Sequence, residues 1–394
     1  MTDTILHRIV PTTALRQLEG GETPHVTNME LFFDLVYVFA IIQLSHYLLS
    51  HQTAIGAMES VTLFAAVWWA WNYTAWATNW VNPDHHSGRT LMILLIACAL
   101  AMAVAMPSAY TDKASLFAGA YVTMALVRAI YMALVFRGTR MGRNYAQLGC
   151  WSTFSSILWI AGAIVPEHRL ILWVVAVLID YSAPYFGFWL PRIGATPMDT
   201  WPLRGLHLLE RNQQVFIIAL GESILLLGGL LTERELTPDV ITASAIGFLM
   251  IVSLWWLYFV HATETGESRF SSASGHTRLA RSGLAYAHGI MVCGAITMAV
   301  GIEEIVAHPS TAIHLPAVVI ATAGPILFLV GGMLFFRVMA QSIPWIYGIA
   351  AMLLVALGFL ASVLHLSGLI IGAGILLILL TVTTFMQLMC KRDG

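Results

Sequence analysis

Charge is what this sequence has least of. Asp, Glu, Lys and Arg make up 10% of its 394 residues, against 58% hydrophobic residues and a mean hydropathy of +0.79. An average soluble domain spends roughly a quarter of its residues on charge, so this chain cannot cover a water-facing surface and a membrane protein is expected. The formal net charge is -2. No block of Lys and Arg stands outside short loops, which argues against a nucleic-acid partner, because phosphate binding needs a concentrated positive field. The four cysteines (Cys98, Cys150, Cys293, Cys390) are scattered without a CxxC or Cys/His ligand spacing, so neither a disulfide framework nor a zinc site is expected. A GxxxxGK[ST] phosphate loop and a soluble domain are both missing, which disfavours ATP-driven transport by this chain alone.

What the chain does have is long apolar runs. The hydrocarbon core is about 30 Å thick, so a helical crossing needs about 20 apolar residues. Such runs fall near 29–50, 55–80, 89–110, 115–136, 147–166 and 169–190, then near 209–231, 239–262, 279–303, 312–336, 343–365 and 367–389. Twelve spans are therefore expected. The first 27 residues lack a long apolar core and a small-residue cleavage site, and read as a polar leader that is retained. With the N-terminus inside, the outer loops hold only Lys113, Arg169 and Arg234, and Arg128 alone falls within a span. All other Lys and Arg residues lie on the inner side, which predicts that both termini are cytoplasmic.

An internal repeat organises the expectation further. Val38-Phe39-Ala40-Ile41-Ile42 aligns with Val215-Phe216-Ile217-Ile218-Ala219, and Trp68-Trp69-Ala70-Trp71 with Trp255-Trp256-Leu257-Tyr258. Six spans per repeat give both halves the same orientation, as in parallel-repeat transporters. The expected layout is a cytoplasmic leader (1–27), a first six-helix repeat (28–191), a cytoplasmic linker (192–208), a second repeat (209–390) and a cytoplasmic tail (391–394).

Charged side chains inside a bilayer are costly, by about 2.5–3.5 kcal/mol at mid-membrane on insertion scales, so the few present are the place to look for function. Glu30 and Asp34, four residues apart, share a face of the first span, and two acids there repel unless a proton or cation intervenes. The repeat offset sets Asp34 against Arg211, which can supply that cation. The bland alternative is that both acids only mark a helix end. Glu222 lies on the same stripe of the seventh span as Arg211, beside Gly221, which is expected to allow close helix approach. A carboxyl group withdrawn from water holds its proton more readily, which suits a proton relay or cation site. The structural alternative is a fixed ion pair with Arg128. Asp180 precedes Pro184, which is expected to kink the sixth span and free the Asp180 carbonyl; Arg128 is again its expected counter-charge. Asn72, among the tryptophans of residues 68–80, is expected to line a pathway, the alternative being an interfacial aromatic belt. Asp84-His85-His86 lacks a further ligand at helical spacing, and no bis-histidine pair occurs along any helix, so no metal and no cofactor is expected.

The segments Thr27–Ile41, Trp71–Thr74 with Asp84–Arg89, and Glu210–Ser223 resemble the bacterial low-temperature requirement A family over nearly the whole chain. That resemblance implies a multi-pass inner-membrane protein linked by name to growth in the cold, without a settled substrate. Glu30–Ile41 is also similar to the first helix of a non-canonical potassium-channel family built from six-span repeats, whose first helices line the pore. Here the seventh span carries Glu210-Arg211 where that family's motif would recur, so simple potassium conduction is not implied.

The expectation is thus an all-α, twelve-span transporter of two parallel repeats, moving a small solute or ion with protonation of Glu30, Asp34, Asp180 or Glu222, and with Arg128 and Arg211 as counter-charges. A gated cation channel is the alternative, an intramembrane enzyme acting on a lipid-linked substrate a third, and no catalytic set is assigned. Expected partners are membrane lipids, the solute itself and, as an option, a second copy of the chain.

Overall fold

The computed structural model describes residues 10–16, 25–197, 200–272 and 275–393. Of the expected leader, residues 1–9 and 17–24 lie outside the described residues, as do 198–199 of the linker and Gly394 of the tail. The architecture is all-α, with isolated bridges and no strand among the described residues. In chain order the long helices are α1 (Asn28–Ser50), α2 (Ala54–Thr78), α3 (His86–Ala105), α4 (Ala114–Val135), α5 (Arg140–Ile164), α6 (Arg169–Ser182) and α7 (Gly205–Glu233). There follow α8 (Pro238–Trp256, continued through a π segment Leu257–Ala262 and Thr263–Ser272) and α9 (His276–Leu279, a π segment Ala280–Ala287, then His288–Ala307). The chain ends with α10 (Leu315–Met339), α11 (Trp345–Leu364) and α12 (Gly368–Asp393).

Ten of these helices are long and apolar enough to cross a bilayer. The two that fall short of the expected twelve are α5 and α6. Helix α5 is long, but Gln147, Ser152, Thr153, Ser155 and Ser156 make it polar. Helix α6 has 14 residues, about 21 Å at 1.5 Å per residue, short of the hydrocarbon thickness. Pro184 does not kink this helix. It follows the end of α6 at Ser182, and the chain turns there through Tyr185 and Phe186 amides donating to the Ser182 carbonyl.

Packing divides the chain into two units: Met1–Tyr47 with Ala54–Arg211 and Gly275–Arg281, and Leu48–Thr53 with Asn212–Ser274 and Ser282–Gly394. The two expected six-helix repeats are not confirmed: α6 has 14 residues and α12 has 26, and α8 and α9 carry π segments that α2 and α3 lack.

In the first unit, α1 starts at a capping box: the Thr27 amide donates to Glu30 Oε2 (2.9 Å) and the Glu30 amide to Thr27 Oγ1 (3.3 Å), satisfying two otherwise orphan donors. Its core is aromatic, with Trp173 packed on Trp159 (5.2 Å between ring centroids), Tyr110 (5.0 Å) and Phe117 (5.5 Å). In the second unit, α9 and α10 meet through glycines spaced seven apart, Gly294 and Gly301 against Gly324 and Gly331. A Cβ on Gly294 would stand 2.4 Å from the Phe328 amide nitrogen, and one on Gly324 2.4 Å from that of Met298. In a lipid-like surround, where burying apolar surface drives little association, such backbone approach is what holds helices together. The periphery is apolar, as a lipid-facing surface requires: Phe359, Leu377 and Met352 are 73%, 68% and 64% exposed.

Candidate functional site

The first unit gathers its charges at the N-terminal end of α1. Placed by the capping box, Glu30 keeps Oε1 free for Arg211, whose Nη1 lies 3.1 Å away, while Arg211 Nη2 donates to Asp34 Oδ1 at 2.6 Å. One planar guanidinium thus spans two carboxylates a helical turn apart. Thr78 Oγ1 accepts a further bond from Arg211 Nη1 (3.3 Å), and the Trp71 indole nitrogen donates to Asp34 Oδ1 (2.8 Å). Arg16 of the N-terminal segment reaches the other Glu30 oxygen (3.0 Å). Its backbone amide donates to the Trp80 carbonyl (2.7 Å), tying that segment to the turn after α2.

His207 completes this group. The Asn79 carbonyl oxygen accepts from the Arg204 amide (3.0 Å), which leaves the Asn79 amide nitrogen as the donor to His207 Nδ1 (3.2 Å). A neutral ring in that arrangement carries its proton on Nε2, which stands 3.2 Å from Glu30 Oε1. Glu30, Arg211 and His207 are fully buried and Asp34 is 1% exposed. Two carboxylates face two guanidiniums, so the cluster is balanced.

The other expected residues of this unit lie apart from that cluster. Asp180 accepts from the Tyr121 hydroxyl (2.7 Å) and from the Trp159 indole (3.5 Å). The expected Asp180–Arg128 ion pair is not formed. Arg128 Nη1 instead donates to the Ala70 carbonyl and to Thr74 Oγ1, both at 3.0 Å, and its guanidinium lies 5.3 Å from the Tyr73 ring centre. The Ala70 carbonyl and the Thr74 hydroxyl of α2 offer these acceptors without the desolvation cost of bringing in a second charge. Trp68, Trp69 and Trp71 are buried, and the buried Asn72 side-chain nitrogen has no hydrogen-bond partner among the described residues. Glu59 accepts from the Tyr47 hydroxyl (2.7 Å).

Glu222, in the second unit, is different in kind. It is 1% exposed, both its carboxyl oxygens are buried, and neither has a hydrogen-bond partner among the described residues. No ion pair among those residues includes it. Nor does Gly221 mark a close helix approach, since a Cβ there would meet nothing within 4 Å. Another acid of the same unit, Glu303 of α9, acts on it electrostatically. The same unit joins Tyr258 to His288 by a buried 2.7 Å hydrogen bond, with Phe216 stacked on Tyr258 at 3.9 Å. Tyr258 lies within one π segment and His288 directly follows the other, so both irregular stretches meet at this bond. Sequence reasoning misses Glu303, which ends a long apolar run, and the Tyr258–His288 bond, which no local spacing signals.

The family model for the bacterial low temperature requirement A protein matches residues 25–384. An uncharacterized protein of Rhizobium meliloti (strain 1021) is 35% identical over 341 residues, covering 84% of this chain and 82% of the relative. No solved structure matches.

Proposed function

Since the chain belongs to the bacterial low temperature requirement A family of membrane proteins, we propose that it moves a small solute or ion across the bacterial inner membrane, coupled to protonation of Glu222, with both termini cytoplasmic. One observation carries this reading: Glu222 is 1% exposed, and neither of its carboxyl oxygens has a hydrogen-bond partner among the described residues. An ionised carboxylate held that way forfeits the hydration that stabilises it, by several kcal/mol in real proteins, and gains nothing in return. Uptake of a proton or a cation removes the penalty, and release restores it. That alternation is what coupling needs.

The other acids take supporting parts in this reading. Glu30 and Asp34, held by Arg211, lock one end of the first unit. Asp180, engaged by neutral donors, is a further place where a proton can reside. A gated cation channel is the second reading, favoured by the neutralisation of Arg211, whose charge would otherwise oppose a passing cation. Proteoliposomes containing the full chain and the pH dye pyranine separate the two. A carrier gives saturable proton flux that follows an imposed pH gradient, a pore gives single-channel potassium currents in planar bilayers, and the absence of both rejects transport.

A further inference from the structure

Arg128 is 2% exposed and belongs to no ion pair among the described residues. Its hydrogen bonds all leave from one nitrogen, Nη1, toward the Ala70 carbonyl and Thr74 Oγ1 of α2, so Nε and Nη2 have no acceptor among the described residues. Neutral acceptors satisfy that one nitrogen but leave the charge itself uncompensated. A buried ion in that state costs several kcal/mol, and a counter-ion relieves it. The buried acids of this unit are engaged elsewhere. Glu30 and Asp34 hold Arg211, and Asp180, whose charge reaches Arg128 electrostatically, accepts from the Tyr121 hydroxyl and the Trp159 indole.

A second donor comes to the same place from α1. The Tyr37 hydroxyl is buried, and its hydrogen bond goes to the Met124 sulfur at 4.0 Å, a weak acceptor. Met124 lies one helical turn before Arg128 on α4, and helix side chains lean toward the N-terminal turn. The guanidinium therefore extends over the turn at which the Tyr37 hydroxyl arrives, and the two groups act on each other electrostatically. The Tyr73 ring, with its centre 5.3 Å from the guanidinium carbon, covers one face of that group. Guanidinium N–H groups joined by a phenol O–H are the donor set of an anion site. One uncompensated positive charge calls for one negative charge, and so few donors suit a small ion better than the several oxygens of a phosphate or sulfate.

We propose that Arg128 and Tyr37 hold one small monovalent anion of the chloride class, with Arg128 Nε and Nη2 and the Tyr37 hydroxyl as its donors. This site belongs to the first unit and does not depend on proton coupling at Glu222. It is tested on the purified full chain in detergent by following the unfolding midpoint as chloride replaces gluconate at constant ionic strength. An anion that binds only the folded state raises the midpoint once its concentration exceeds the Kd. The parent's midpoint rises with chloride. Tyr37→Phe takes away one donor and moves the chloride concentration at which the rise begins up about fivefold, the scale of one hydrogen bond. Arg128→Met abolishes the rise. Tyr47→Phe, the same change further along α1 at a hydroxyl that donates to Glu59, keeps the parent's response. Should Arg128→Met fail to fold, the contrast between Tyr37→Phe and Tyr47→Phe decides. A parent midpoint indifferent to chloride, or a response that Tyr37→Phe leaves unchanged, overturns the proposal. A response that Arg128→Met retains overturns it too, as a general effect of salt.

Discussion

Replacing Arg211 with methionine removes the cation that bridges Glu30 and Asp34 while keeping much of the side chain's volume. The two acids are not left equal. Glu30 keeps Arg16 at 3.0 Å and the capping bond from the Thr27 amide, whereas Asp34 loses its 2.6 Å partner and retains only the Trp71 indole. Stranding one buried carboxylate costs on the order of 3–5 kcal/mol, a large share of the stability of any domain. Fluorescence-detected unfolding of the purified protein in detergent reads the loss directly. The geometry further requires that Arg211→Met combined with Asp34→Leu recover more than half of it, because the stranded charge is then gone, while Arg211→Met combined with Glu30→Gln recovers less. An Arg211→Met protein as stable as the parent, or equal rescue by both second changes, refutes the reasoning.

Three further outcomes follow from the packing. Thr27→Ala removes the capping-box hydroxyl of α1 and lowers stability by about 1 kcal/mol in the same assay, whereas Thr27→Ser leaves it nearly unchanged. Gly324→Val sets a Cβ against the Met298 backbone and forces α9 from α10, so folded protein recovered by size exclusion falls sharply, with Gly348→Ala as the tolerated control. Tyr121→Phe removes the 2.7 Å bond to Asp180 and costs about 1–3 kcal/mol, the range for unpairing a buried polar group.

The fold's helical, membrane-spanning character is legible in the sequence because hydropathy over about 20 residues is a strong and local signal. The nearness of Asp34 to Arg211 is also readable, from the helical spacing of Glu30 and Asp34 and from the repeat register that sets position 34 against position 211. The rest of that cluster is not. His207, Trp71 and Arg16 arrive from other segments, and nothing in their spacing fixes how those segments turn toward α1. Thr27-Asn28-Met29-Glu30 does carry a legible signal, that of a capping box, which gives Glu30 a structural task before any functional one. Arg128 illustrates the opposite difficulty. A sequence shows which acids are available to an arginine but not the carbonyl of Ala70, which is the acceptor it takes. The polar stripe of α5 and the early stop of α6 explain the difference between twelve expected spans and ten: one trades lipid-compatible residues for serines, the other is cut short ahead of Pro184.

The reading of Glu222 as the coupling group depends on its being unpaired for a reason other than packing. Its oxygens accept no hydrogen bond among the described residues, so Glu222→Gln is expected to change stability by no more than about 1 kcal/mol. The decisive measurement is pyranine-reported proton flux in proteoliposomes carrying equal amounts of the parent and the Glu222→Gln protein under the same imposed pH gradient. The account predicts flux from the parent and none from the variant; equal flux from both would contradict it.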